Sequence, residues 1–483
     1  EGVQEVRPQE GPQGAAVQQA LAAVGDPFRV ARTHSPTAPM ALRFGTDGVR
    51  ARADTVLTES VVRALGRAAA GQLGADVVVI GHDTRASGEA LSRALAEGFL
   101  EGGVEVRQLG MAPTPAVAHA AAVDGIAGAV VSGSHNPWTD NGVKLFAAGG
   151  HKLDDAAQVE LQASWDETPG LDASGRAMPE PVSDDRWAEA VASSVDAGAL
   201  VGLALVVDCA HGAMSTVAPV VLERLGAEVT VLNATPDGRN INHLCGSMHP
   251  EGLQQAVVDA GADAGLAFDG DGDRVVAVGA DGALLDGDHL LAASGIDLHE
   301  RGLLADDTVV GTVMANLGLR RAFSACGISF HETAVGDRYV LEALEANGWT
   351  LGGEQSGHLI FRHLATTGDG LLAGIQALDA ARRRGRTLGA WTTELVVKAP
   401  QVLRAVAVEG SGEMVVEAMA DDIATAADLL GDEGRVVVRP SGTESVVRVM
   451  VEALDAELAR RLADELCVAA QRTAGRDAGS PQG

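Results

Sequence analysis

Residues 264–279, Ala-Gly-Leu-Ala-Phe-Asp-Gly-Asp-Gly-Asp-Arg-Val-Val-Ala-Val-Gly, limit the fold more than any other stretch. Two apolar runs of strand character flank three carboxylates at alternate positions. Both runs must therefore be buried while Asp269, Asp271 and Asp273 share one short loop. The intervening glycines let that loop curl until the three carboxylates face one point. Like charges packed between buried strands repel one another unless a counter-ion joins them. An all-oxygen donor set of this kind suits a hard cation, Mg²⁺ above others. A calcium EF-hand needs Gly at the sixth loop position and Glu at the twelfth, and those positions hold Arg274 and Ala280. A solvated acidic turn is the alternative, and it leaves the repulsion unanswered.

A second stretch, residues 129–146, reads Ala-Val-Val-Ser-Gly-Ser-His-Asn-Pro-Trp-Thr-Asp-Asn-Gly-Val-Lys-Leu-Phe. A β-type run ending at Val131 delivers Ser132 to Asn136 into a turn stopped by Pro137. Asn141-Gly142 is then expected to turn the chain back toward Lys144. Ser134 is the candidate nucleophile. Gly133 beside it is expected to leave space for a substrate, and His135 can donate hydrogen bonds. A polar turn that merely ends a strand is the alternative. Residues 352–358, Gly-Gly-Glu-Gln-Ser-Gly-His, form a third polar loop. Residues 439–448, Arg-Pro-Ser-Gly-Thr-Glu-Ser-Val-Val-Arg, have the makings of a phosphate cradle. Arg439 and Arg448 supply charge, Ser441 and Thr443 hydroxyls, and the backbone around Gly442 free amides.

Between these loops the chain alternates short apolar runs with segments of helical spacing, which argues for an α/β fold with mixed, largely parallel sheets. One unit runs from Leu42, another from about Leu203, a third from about Thr308 and a last from about Lys398. The last has strands near 401–408, 435–438 and 446–451 and helices near 413–430 and 458–472. Residues 1–39 are Gln, Pro and Ala rich and read as a disordered extension. Arg85 is expected to be structural, and the run Arg382-Arg-Arg-Gly-Arg a solvated helix end. His211 and Cys245 lack the paired partners of a zinc site and are expected to pack.

Charge bears on partners. The 483 residues carry 36 Lys plus Arg against 66 Asp plus Glu, a net charge of −30. Such a chain disfavours nucleic acid and anionic membranes, so an anionic substrate needs a local basic pocket. Cys209, Cys245, Cys326 and Cys467 lie far apart with no CxxC pair, as in a reduced cytoplasmic protein. No apolar run approaches a membrane span, and no basic-then-apolar leader opens the chain.

The four loops, in this order, resemble the phosphoserine, metal, sugar and phosphate loops of the α-D-phosphohexomutase superfamily, which includes the phosphoglucomutases and phosphomannomutases. Glu-Gln-Ser-Gly-His at the sugar loop and Phe-Gly-Thr-Asp-Gly-Val-Arg at 44–50 are most similar to its glucosamine-phosphate branch. The resemblance covers residues 40 to about 472. It implies three similar α/β domains and a smaller C-terminal α+β domain closing the cleft, with boundaries at 40–200, 201–304, 305–397 and 398–473 and a flexible tail at 474–483. It also implies phosphorylation of Ser134 and Mg²⁺ held by Ser134, Asp269, Asp271 and Asp273. Arg274 and Lys144 would neutralise charge, and Lys144 would be the general base or acid at a depressed pKa, with His358 and His135 as partners. Arg50 would approach the phosphoserine, and Glu354 and Ser356 would bind sugar hydroxyls. Arg439, Ser441, Gly442, Thr443 and Arg448 would hold the idle phosphate. The implied partners are hexosamine and hexose phosphates, with a hexose 1,6-bisphosphate as intermediate and activator, in a monomer or homodimer. The implied activity interconverts 6- and 1-phosphates of glucosamine. Glucose or mannose phosphates, a non-catalytic sugar-phosphate binder and a plain phosphatase are the alternatives. Ser445 stands where the superfamily usually has proline, which leaves that loop less rigid.

Overall fold

Short Val- and Ala-rich runs form the parallel centres of three sheets, and each of these sheets carries an antiparallel return strand reached through a site loop. The structure is a computed structural model describing residues 42–45, 47–173, 175, 178–408, 411–441 and 445–477. The expected N-terminal extension, the last residues of the tail, and Gly442 and Thr443 lie outside the described residues.

The first sheet comprises β1 (Val49–Arg52), β2 (Val77–His82), β3 (Glu105–Met111), β4 (Ala127–Val131), β5 (Asp140–Ala147) and β6 (His151–Lys152). Its order is β1-β5-β4-β2-β3, with β6 on β5. β2 runs parallel to β3 and β4, and β5 returns antiparallel to β4. Asn141-Gly142 is therefore not a turn. It lies inside β5, and residues 132–139 reverse the chain instead. A Cβ at Gly142 would sit 2.6 Å from the carbonyl oxygens of both Ser132 and Val49, so glycine is what fits between β4 and β1.

The second sheet joins β7 (Ala204–Asp208), β8 (Glu228–Leu232), β9 (Ala264–Phe268), β10 (Val275–Gly279) and β11 (Leu284–Leu285) in the order β11-β10-β9-β7-β8. The third joins β12 (Thr308–Thr312), β13 (Ser329–Thr333), β14 (Leu351–Gly353) and β15 (Leu359–Phe361) in the order β13-β12-β14-β15. The acidic loop connects the antiparallel pair β9–β10, and the sugar loop connects β14–β15. The repeat that residue identity hides is thus one of topology: in all three sheets a strand with parallel neighbours runs into a site loop and returns antiparallel.

The fourth sheet, β16 (Gln401–Ala407), β17 (Gly434–Pro440) and β18 (Val446–Ala453), is antiparallel throughout in the order β16-β18-β17. It buries its own core around Val415, Met419, Val449 and Leu462, whereas the second and third sheets share one that includes Leu266, Phe268, Val309 and Phe323. The helix expected over 413–430 is two, Gly412–Ala418 and Ala420–Leu430, because buried Met419 leaves helical geometry with ψ at 6°. The arginine run at 382–386 is not simply solvated. Arg383 and Arg384 reach Asp297 at 2.6 and 3.0 Å, and Arg384 lies 4.3 Å over the Trp391 ring. No helix among the described residues is long and apolar enough to cross a membrane.

Candidate active site

The loop between β4 and β5 is held from beneath. Arg85 and Asp83, both fully buried, pair at 2.9 Å. The same guanidinium donates to the carbonyl oxygens of Ser134 and Asn136 at 2.8 Å, of Asp140 at 3.0 Å, and of Pro137. Ser132 Oγ donates to Asp83 at 2.6 Å and accepts from the Ser134 N–H at 2.8 Å. Asn242 Nδ2 donates to the carbonyls of Ser134 and Asn136 at 2.8 and 3.2 Å. So restrained, Ser134 adopts φ 49°, a left-handed conformation that costs a non-glycine residue energy. The missing side chain of Gly133 makes room for Arg85, not for substrate: a Cβ there would lie 2.9 Å from the guanidinium carbon. Arg85 is structural, as expected.

Ser134 Oγ donates to Asp269 Oδ2 at 2.6 Å and lies 3.3 Å from His135 Nδ1. Carboxylate oxygens of Asp269, Asp271 and Asp273 lie within 4.8 Å of one another, all buried. Asp271 Oδ1 and Asp273 Oδ1 have no hydrogen-bond partner among the described residues. Burial, then the charges of Asp273 and Asp271, push the Asp269 carboxyl well above its ordinary value. Two orphaned oxygens, a third carboxylate and a serine hydroxyl make an all-oxygen donor set that fits a small divalent cation. Thr114 steadies it, donating its hydroxyl to Asp271 Oδ2 at 2.6 Å and its N–H to the Asp271 carbonyl at 2.9 Å.

Lys144 reaches Asp273, Asp271 and Asp47 at 2.6, 2.8 and 2.9 Å. Burial alone would lower its pKa, but these three carboxylates outweigh burial and raise it well above the ordinary lysine value. The side chain thus sits in an acidic cage, and the depressed pKa expected of it beside Mg²⁺ and Arg274 belongs to the metal-loaded site. His358 lies 3.8 Å from Asp273 and 3.5 Å from Asp337, and these carboxylates overcome burial to raise its pKa. His135 goes the other way, to about 3, through burial and then Arg274 and Arg50. Arg274 NH1 is 3.4 Å from His135 Nδ1. Arg50 joins the cluster indirectly, paired with Asp47.

The sugar loop abuts the acidic loop. Val275 N–H donates to the Gly357 carbonyl at 3.1 Å, and a Cβ at Gly357, φ +91°, would meet the Val275 carbonyl oxygen at 2.1 Å. Glu354 Oε1 accepts from Gly336 N–H at 3.1 Å, and burial followed by the Asp337 charge raises its pKa. Ser356 is exposed. The first three loops therefore converge on one cluster.

The fourth loop is a separate element. Arg439 and Arg448 stand directly opposite in the β17–β18 register, and Ser441 N–H donates to the Val446 carbonyl at 2.9 Å. Burial and then Arg448 lower the Arg439 pKa. Like charges in direct cross-strand register are unfavourable unless an anion lies between them.

Sequence reasoning missed Asp47, Lys152, Asp337, Thr114 and Asn242. Asp47 precedes Gly48 in Phe-Gly-Thr-Asp-Gly and Asp337 follows Gly336 in Val-Gly-Asp-Arg, so an Asp beside Gly in a turn was the available signal. Lys152 pairs with both Asp47 and Asp337 across the first and third sheets, a contact no local pattern announces.

With this geometry in place, comparison with known proteins is direct. Four phosphoglucomutase/phosphomannomutase profiles match in order: alpha/beta/alpha domain I at residues 41–169, domain II at 185–282, domain III at 286–399 and the C-terminal domain at 400–469. The chain is 47% identical over 436 residues to the phosphoglucosamine mutase of Rhodococcus jostii, covering 88% of this chain and 98% of that one. It is 46% identical over 451 residues to that of Nocardia farcinica, again covering 88% and 98%. A crystal structure of a phosphoglucomutase/phosphomannomutase family protein from Burkholderia thailandensis superposes with a TM-score of 0.75 at 26% identity, covering 90% of this chain and 98% of that one. Ordered profiles over most of the chain, together with relatives matched nearly end to end, mean that this chain belongs to the phosphoglucomutase/phosphomannomutase family, in its phosphoglucosamine mutase branch.

Proposed function

We propose that the chain interconverts glucosamine 6-phosphate and glucosamine 1-phosphate through a phosphorylated Ser134 and a bound 1,6-bisphosphate, supplying UDP-N-acetylglucosamine synthesis in the cytoplasm. The observation that carries this reading is the 2.6 Å contact of Ser134 Oγ with Asp269, one of a buried trio of carboxylates. Asp269, Asp271 and Asp273, with an oxygen on Ser134, would hold one Mg²⁺, which draws charge from the phosphoryl group when bound.

The chain's own residues do the rest. The Arg85 clamp and the restrained backbone hold Ser134 Oγ in one direction, so the nucleophile and the leaving oxygen of each half-reaction share one position. In the first half, the bond from phosphorus to Ser134 Oγ breaks and one to a sugar oxygen forms. The proton of that sugar hydroxyl ends on Ser134 Oγ. Lys144, His135 and His358 relay it, His135 Nδ1 lying 3.3 Å from Ser134 Oγ. Lys144 and Arg274 oppose the negative charge on the transferring oxygens. Glu354 and Ser356 orient the ring, and Arg439, Ser441, Gly442, Thr443 and Arg448 hold the phosphate that is not reacting. Rotation of the bisphosphate then presents its other end to Ser134, and the second half runs in reverse.

The support for glucosamine is the named branch of the relatives together with Gln355. Gln355 is fixed beside the ring-binding residues, its carbonyl accepting from Gly287 N–H at 3.0 Å and its side chain 3.3 Å from Asp288. The test is kcat/KM for glucosamine, glucose and mannose phosphates with Mg²⁺ and a trace of glucose 1,6-bisphosphate. Glucosamine should be strongly preferred. A preference for glucose or mannose phosphate would move the assignment to another branch, and steady release of inorganic phosphate would make the chain a phosphatase.

A further inference from the structure

The stretch Thr366-Thr-Gly-Asp-Gly has no part in the reaction above, yet it lines a cavity of about 340 Å³. That cavity lies between the helix Thr114–Asp124, the helix Arg186–Ala192 and residues 362–372. Its volume is that of small-molecule sites.

The walls are largely apolar, with Ala118, Ala122, Val191, Leu364 and Leu372. Three of the polar groups among them are not satisfied by the fold. The hydroxyls of Thr366 and Thr367 and Nδ1 of His119 are buried without hydrogen-bond partners among the described residues, and Thr367 is only 1% exposed. Such atoms are costly unless something pairs with them. Asp369, by contrast, is fully engaged: Oδ1 accepts from Leu372 N–H at 2.9 Å and Oδ2 from Trp187 Nε1 at 2.7 Å. Arg362 lines the cavity as an exposed residue, and its guanidinium has no ion-pair or hydrogen-bond partner among the described residues. Donors around an apolar chamber with a free guanidinium match an anion carried on an apolar body.

Two of the walls end in the catalytic cluster. The helix lined by Ala118 and His119 begins at Thr114, which bonds Asp271 twice. The helix capped by Asp369 begins at Gly370, whose N–H donates to the Gly272 carbonyl at 3.0 Å. Gly368 is pressed against His358, where a Cβ would come within 2.3 Å of Nε2. A molecule in the cavity would therefore touch, from behind, the two elements that hold the acidic loop.

We propose that this cavity is a second small-molecule site that takes a small organic anion, a carboxylate or phosphate on an apolar body, and that it acts on the acidic loop through those walls. The probe is 1-naphthoate, titrated calorimetrically into the full chain, with neutral 1-naphthalenemethanol as control. The wild type should bind naphthoate saturably. Arg362→Gln and the neutral analogue should each weaken binding about tenfold, and Ala122→Phe, which fills the chamber, should abolish it while the unfolding temperature and helical circular dichroism stay unchanged. Naphthoate affinity should also differ with and without Mg²⁺, since coupling between sites is reciprocal. No binding, binding indifferent to both substitutions, or an affinity unmoved by Mg²⁺ would overturn the proposal.

Discussion

Arg85 offers the sharpest mutational test because it never touches substrate in this account. Its guanidinium and the Asp83 carboxylate are both fully buried, and four carbonyls of the Ser134 loop depend on it. Arg85→Ala strands a buried carboxylate, which costs about 3–5 kcal/mol, a large part of the ~5–15 kcal/mol that holds a typical protein folded. Arg85→Lys is therefore the more informative change. A lysine can still pair with Asp83 but lacks the planar fork that reaches several acceptors at once. Ser134 and Asn136 keep their bonds from Asn242, so the loss of stability should be about 1–3 kcal/mol. The loss in catalysis should be larger. A nucleophile misplaced by an ångström forfeits about a hundredfold in rate, so kcat should fall by about that factor while KM changes little. Urea unfolding followed by fluorescence and steady-state isomerisation would measure the two effects. An Arg85→Lys protein with wild-type kcat would refute the view that this clamp aims Ser134.

Three other expectations concern different parts of the site. Gly357→Ala would force a methyl group against the Val275 carbonyl, at a built distance of 2.1 Å and an unfavourable φ of +91°. It should cost about 1–3 kcal/mol in chemical denaturation and raise KM for the sugar phosphate. Arg439→Gln should raise KM about tenfold or more, as expected for a lost charge-assisted phosphate contact, while unfolding free energy changes by less than about 1 kcal/mol because the residue faces Arg448. Asp288 gives a pH signature. Burial and then Asp286 lift its pKa from 3.8 to about 7. Its folded pKa lies above the unfolded value, so its contribution is fully present below about pH 4 and is lost as pH rises toward 7. At ~1.4 kcal/mol per pH unit the ceiling is about 4 kcal/mol. Asp288→Asn should therefore lose less stability than wild type between pH 4 and 7, and parallel stability profiles would contradict the assignment.

The strands flanking the acidic loop were legible because burial on both faces leaves uninterrupted apolar runs, and the three carboxylates between them admit few uses. The return strand β5 was not legible. Asn141-Gly142 carries the usual signature of a turn, and only its crowding between β4 and β1 makes glycine a strand residue there. Local pattern likewise placed Lys144 near the metal loop but not its cage of three carboxylates, since Asp47 approaches from before β1 and the acidic loop from the second sheet. Arg85 could be called structural from its motif. That it fills the space left by Gly133 follows only from the tertiary arrangement.

The central claim is that Ser134 carries the phosphoryl group between turnovers. Peptide mass spectrometry after incubation with glucose 1,6-bisphosphate and Mg²⁺ tests it most directly. The account predicts one phosphoryl group on the peptide containing Ser134, and an unphosphorylated, inactive Ser134→Ala protein. Phosphate on a different residue, or full isomerisation by Ser134→Ala, would contradict it.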